Sequence, residues 1–185
     1  MKKLLVLFAA SALISVSAFA HTDPILPKEV LNLHAFQGYW PGTGTLQVGT
    51  NPIIHIHGFQ TCEVTAKGWS IQCIGHWEGD QSFLLDESFQ GAFDAASGLI
   101  NWQVMYSQGP QAFTVSGIFN DAGTQLVLSR SFMSPDGLVE QNGAWTFLTA
   151  NHRTLFIDTK VNGQLVSRMD VDVTRPDTHK YNLYQ

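Results

Sequence analysis

Turn-forming clusters recur along this chain at strand-length intervals, and they constrain its fold more than any other feature. TAKGW (65–69), DAASG (94–98), SQGP (107–110), NDAGT (120–124), SPDG (134–137) and VNGQ (161–164) are rich in the residues that supply reversed or pre-bent backbone. Between them lie segments rich in Val, Ile, Phe, Thr and Trp, several with the period-two alternation of a strand that buries one face. INWQVMY sets Ile100, Trp102, Val104 and Tyr106 against Asn101, Gln103 and Met105. MDVDVTR sets Met169, Val171, Val173 and Arg175 against Asp170, Asp172 and Thr174. Only PKEVLNLHAF (27–36) accommodates a short helix or turn. TLFID is irregular: Leu155, Phe156 and Ile157 are consecutive, so either one faces something apolar outside or the strand is bulged. The expectation is an all-β chain, an antiparallel meander of about eight to ten strands. It closes into a barrel or folds into a sandwich, because open edges invite aggregation.

The first twenty residues read differently. MKKLLVLFAASALISVSAFA has a basic start at Lys2 and Lys3, an apolar run from Leu4 to Val16, and Ala18-Phe19-Ala20 as a small–x–small cleavage pattern. The run is shorter than the roughly 20 apolar residues that span a bilayer, which favours a cleaved secretory signal over a retained anchor. Residues 21–185 then form a single domain that is secreted or periplasmic. The leader holds two of the ten basic residues and none of the fifteen acidic ones, so eight remain against fifteen, a net charge of −7. Such a surface lacks the basic footprint of a nucleic-acid or anionic-lipid binder.

Cys62 and Cys73 flank a reversal centred on Lys67-Gly68. With a tight turn there, Val64 faces Ile71 and Cys62 lies opposite Cys73, where opposed Cα atoms are about 4.5–5.5 Å apart. That separation suits a disulfide, and export makes one the expected state. The same register puts Cys62, Val64, Trp69, Ile71, Cys73, Ile54 and Ile56 on one face, read as buried. His55, His57, Phe59, Thr61, Glu63, Thr65, Ser70, Gln72, Ile74, His76 and Glu78 fall on the other. There His57 faces Glu78 with His76 diagonal to it. Two readings follow: a solvated strand face, or a His55/His57/His76/Glu78 cluster that could hold a transition metal or serve a haem. A bulge at Gly58 would exchange the faces. His21, exposed as a new N-terminus by cleavage, is a further copper-chelating candidate.

LHAFQGYWPGTG (33–44) resembles the opening of the lipocalin-like (calycin) barrels, marked by Gly-x-Trp after a short helical turn, here Gly38-Tyr39-Trp40. The resemblance implies that an arginine on the last strand lies over this tryptophan, and Arg175 is placed to do so. A guanidinium stacked on an indole is worth about 0.5–2 kcal/mol and closes one barrel end. A tryptophan that simply fills the core remains the alternative.

No Gly-x-Ser-x-Gly, phosphate-cradling loop or His-Glu-x-x-His is present. Asp86, Glu87, Asp94, Asp121 and Asp158 fall near turns or on faces read as wet. Trp69, Phe93, Trp102, Tyr106, Phe113, Phe119 and Trp145 either fill the core or line a cavity, for which a barrel of this size has room. The functional expectation is a non-catalytic, exported lipocalin-like protein that binds a small, partly apolar molecule without a cofactor. The rivals are the metal- or haem-associated protein and a solidly filled barrel serving as a structural or protein–protein module.

Overall fold

A computed structural model describes residues 26–107 and 112–176. The leader, His21 and most of the SQGP turn lie outside the described residues. A helix α1 (Lys28–Leu33) runs into a 3-10 turn (His34–Phe36). Ten strands follow: β1 (Gly38–Val48), β2 (Ile54–Thr65), β3 (Ser70–Gly79), β4 (Phe83–Asp94), β5 (Leu99–Tyr106), β6 (Phe113–Phe119), β7 (Gln125–Ser134), β8 (Gly137–Thr149), β9 (His152–Val161) and β10 (Gln164–Thr174). Each pairs with its sequence neighbours, and β1 pairs antiparallel with β10 to close the barrel. The count is the upper end of the expected range. Closure gives every described strand a neighbour on both sides, which answers the edge problem that the alternation raised.

Alternation sets what the wall turns inward. Ile100, Trp102 and Val104 on β5, and Val171 and Val173 on β10, are buried, while Asp170 and Asp172 remain exposed. β9 pairs without a bulge through Leu155–Ile157, so Leu155 turns in and Phe156 points outward at 38% exposure. The cysteines sit opposite each other in the β2–β3 ladder. They form a disulfide with Cα atoms 4.1 Å apart. The reversal between these strands is a 3-10 turn over Ala66–Gly68, and pairing ends at Thr65↔Ser70. Gly58 pairs with Trp77 in register, so the histidine face is not exchanged. One assignment needs correction: Ser70, placed on the wet face, is buried and shares a hydrogen bond with Thr65 Oγ1 at 2.6 Å, because it is enclosed in the ladder between Thr65 and Ala92.

The helix plugs one end. Six residues are too few for a helix to persist alone in water; α1 is held by burying Val30 and Leu33. The following Phe36 stands on edge against Trp102, Trp145 and Phe147, with ring centroids 5.0–5.7 Å apart. Gly38 turns the chain from this plug into β1 with φ at +111°, a conformation that a side chain disfavours. Trp40 Nε1 donates to the Phe36 carbonyl at 2.7 Å. The Arg175 guanidinium lies 4.3 Å from the Trp40 ring centroid and donates to the carbonyls of Ala35 and Gln37, which end the 3-10 turn. This end of the barrel is shut.

Candidate functional site

Antiparallel connectivity places the second half of β1, β3, β5, β7 and β9 and the first half of the even strands at the end away from the plug. There the interior contains a cavity of about 90 Å³, space for several waters' worth of ligand. Its apolar walls include Phe89, Trp102, Val104, Phe113, Trp145 and Leu155. Among the predicted aromatics, Trp102, Tyr106 and Phe113 line it together with Trp145. Trp69, Phe93 and Phe119 do not. Trp69 stacks on Phe93 at 6.5 Å, and Phe119 packs on Phe147 at 6.2 Å, all at the plugged end. Phe93 and Phe119 belong to the core, but the height of all three along their strands puts them beneath the cavity.

The polar groups of this interior were not singled out in the sequence. Glu87 was read as wet; it instead points into the barrel, because it is in phase with Leu85 and Phe89 on β4. Its ladder partner is Gly75, where an added Cβ would lie 2.5 Å from Glu87 Oε1. The missing side chain is what makes room for the carboxyl group. Glu87 Oε1 accepts from Gln60 Nε2 at 2.6 Å and from Trp77 Nε1 at 3.0 Å. Burial pushes its pKa up from the ordinary carboxyl range, against the opposing pull of those two donors and of the Arg153 charge. Tyr106, beside Glu87 in the ladder, has its hydroxyl pKa raised by burial first and by the Glu87 charge second.

Arg153 is 0% exposed. Its guanidinium carbon lies 4.0 Å from the Trp40 ring centroid and 4.6 Å from those of Phe36 and Trp145. Nη2 donates to Gln60 Oε1 at 3.2 Å, whereas Nε and Nη1 are buried without a hydrogen-bond partner. Burial, then repulsion by Arg175, push its pKa well down, and Glu87 opposes them. Gln60 thus links the deep cation to the buried acid. Nearer the mouth, Arg130 lies 3.4 Å from the centroid of Phe113 and 4.8 Å from that of Phe132. Its Nε donates to Gln141 Oε1, and Gln141 Nε2 donates in turn to Thr159 Oγ1 at 3.0 Å. The signal for these residues was present: Gln60, Glu87, Arg130 and Arg153 each interrupt an inward-facing apolar alternation with a polar group.

The histidines lie on the outer wall. His57 faces Glu78 across the ladder with a ring-to-carboxylate distance of 3.9 Å. His76 places Nδ1 2.6 Å from Asp86 Oδ1 and Nε2 3.0 Å from Glu78 Oε1, and those hydrogen bonds, Asp86 first, raise its pKa. His55 is exposed, and its backbone amide donates to Asp80. Among the described residues no group of three or more His, Cys, Asp or Glu side chains is placed to hold a metal ion.

No protein-family pattern matches the sequence, and no curated protein does. Solved structures do match. The S-type phycobiliprotein lyase CPES from Guillardia theta aligns with a TM-score of 0.55 at 11% identity, covering 83% of this chain and 99% of that one. Rv2717c from M. tuberculosis aligns with a TM-score of 0.61 at 11% identity, covering 83% of this chain and 100% of that one. At this identity the likeness establishes the shared fold.

Proposed function

We propose that this chain is an exported barrel protein of the lipocalin-like kind that binds a small, partly apolar molecule in its interior. The observation that carries the reading is the cavity itself: aromatic and aliphatic walls around a few polar groups held by hydrogen bonds. Pockets of this composition hold ligands by apolar burial and orient them by a small number of hydrogen bonds. Trp102, Tyr106 and Phe113 would supply the burial. Glu87, Tyr106, Arg130 and Gln141 would supply orientation, without a chemical step. Plug and cavity divide the labour, since Phe36, Trp40, Arg153 and Arg175 rigidify the floor on which the occupant rests. The two solved structures support the architecture of this reading. Export rests on the leader-like residues 1–20 and on a disulfide that an oxidising compartment would preserve.

Native mass spectrometry of protein isolated under non-denaturing conditions from its own source tests the proposal. A co-purifying small molecule, lost on filling the cavity by Val104→Trp, is the expected result. Ligand-free protein that also fails to bind any amphiphilic probe would overturn it.

A further inference from the structure

The outer wall of the barrel carries an apolar row. Ile118, Val127, Ala144 and Phe156 are opposed in turn across β6, β7, β8 and β9, so they follow one another around the barrel. Ile118 and Val127 are 54% and 42% exposed and Phe156 also points outward, whereas Ala144 is only 3% exposed. The short alanine side chain therefore floors a notch whose two walls are Val127 and Phe156. The neighbouring rows are polar: Ser129, Asn142 and Asp158 lie on one side, and Gln125, Thr146 and Thr154 on the other. Strand propensity accounts for a branched residue on a wet face. A notch between two exposed apolar side chains offers more, a seat for one apolar side chain from outside.

The same row continues in register into Asp170 on β10, Thr45 on β1 and His55 on β2. There the wall is hollowed, and Phe156, Thr45, His55, Asp80, Asp170 and Asp172 are among the residues that line the hollow. No lysine or arginine among the described residues lines it. Arg168, two residues from Asp170, is committed to Asp158 through two hydrogen bonds of 2.6 Å, and His152 Nε2 lies 2.9 Å from Asp172 Oδ2. Exposed acidic groups thus stand directly beside the apolar notch. We propose that this face docks a basic segment of another protein, with one apolar side chain of the partner in the Ala144 notch and a lysine or arginine over Asp170 and Asp172. Ala144 and Asp170 are two strand spacings apart, about 10 Å, which an extended chain covers in about three residues. The partner is therefore recognised by an apolar residue with a basic one about three positions away. A second copy of this chain fits poorly, because the chain itself carries −5 and would meet like charge. Docking on the outer wall does not depend on whether the interior holds a ligand.

The probe is a fluorescein-labelled synthetic peptide with one leucine, followed by lysines three and four residues later, on a glycine–serine background. Fluorescence anisotropy against the oxidised protein at neutral pH and low salt measures its affinity. Replacing the lysines by glutamine, or the leucine by serine, should each weaken binding about tenfold. Added salt should weaken the lysine peptide and leave its glutamine counterpart unchanged. In the protein, Asp170→Asn/Asp172→Asn should abolish the preference for lysine over glutamine, and Val127→Ser/Phe156→Ser should abolish the preference for leucine over serine. All four side chains are exposed, and circular dichroism checks that the variants fold. Equal binding of the lysine and glutamine peptides by the wild type, a preference that survives the double aspartate substitution, or no binding up to about 1 mM overturns the proposal. Self-association of the chain that Phe156→Ser abolishes would assign the face to a second copy, and it overturns the proposal as well.

Discussion

Glu87→Gln isolates the energetic effect of placing a carboxyl group inside this barrel. The replacement keeps the shape, and its carbonyl can still accept from Gln60 Nε2 and Trp77 Nε1, the two donors that Glu87 Oε1 now receives. What changes is titration. Burial raises the folded-state pKa of Glu87, so between the unfolded value of about 4.3 and the higher folded value the native protein holds a proton that the unfolded chain has released. Folding there takes up a proton, and stability falls as pH rises. Below the unfolded pKa both states are protonated and the contribution is fully present; above the folded pKa the loss is complete. The slope inside the window approaches about 1.4 kcal/mol per pH unit for one group, and Gln cannot show it. Urea denaturation of oxidised wild type and variant across the acidic to neutral range measures the difference, in which all other titrations cancel. The stability of the Gln variant relative to wild type should rise with pH along that slope and then level off. A flat difference would refute the reasoning. A difference of opposite sign would show that the two donors and Arg153 outweigh desolvation.

Three further outcomes follow from the same structure. The disulfide closes a loop with a sequence separation of 11, for which the chain-entropy relation gives about 3 kcal/mol; the double substitution Cys62→Ala/Cys73→Ala should lose about that much in urea denaturation, and no loss would show that the bridge does not restrict the unfolded chain. Phe36→Ala removes a fully buried ring touching three others and should cost about 3–5 kcal/mol, with increased binding of a hydrophobic dye as the plugged end opens. The His76 imidazole, held by Asp86 and Glu78, should titrate above the ordinary histidine value by NMR. Asp86→Asn should lower that midpoint more than Glu78→Gln does, and equal effects would contradict the ordering.

Alternation and turn chemistry were enough to read an antiparallel all-β chain, and the ten residues between Cys62 and Cys73 were enough to pair them. Both are local properties: side-chain direction in a strand repeats every two residues, and a hairpin's register follows from where it turns. Arg175 lies over Trp40, a contact that joins the first strand to the residue following the last. Height inside the barrel was not legible. Trp69, Phe93 and Phe119 share the inward parity of Trp102, Tyr106 and Phe113, yet only the latter three reach the cavity. Which end α1 closes depends on how the strands shut around it.

Glu87 shows the same division from the other side. An acid in phase with Leu85 and Phe89 looks, in one dimension, like ordinary solubilising charge. It becomes a buried group only when Gly75 stands opposite, Gln60 and Trp77 converge on it, and Arg153 is caged nearby on β9. The sequence alone determined the alternating strands, the faces of the β2–β3 hairpin apart from Ser70, and the disulfide, because each depends on neighbours along the chain or across one hairpin. Tertiary closure decided the cavity and its buried charges, because these depend on strands far apart in sequence being brought around a common interior.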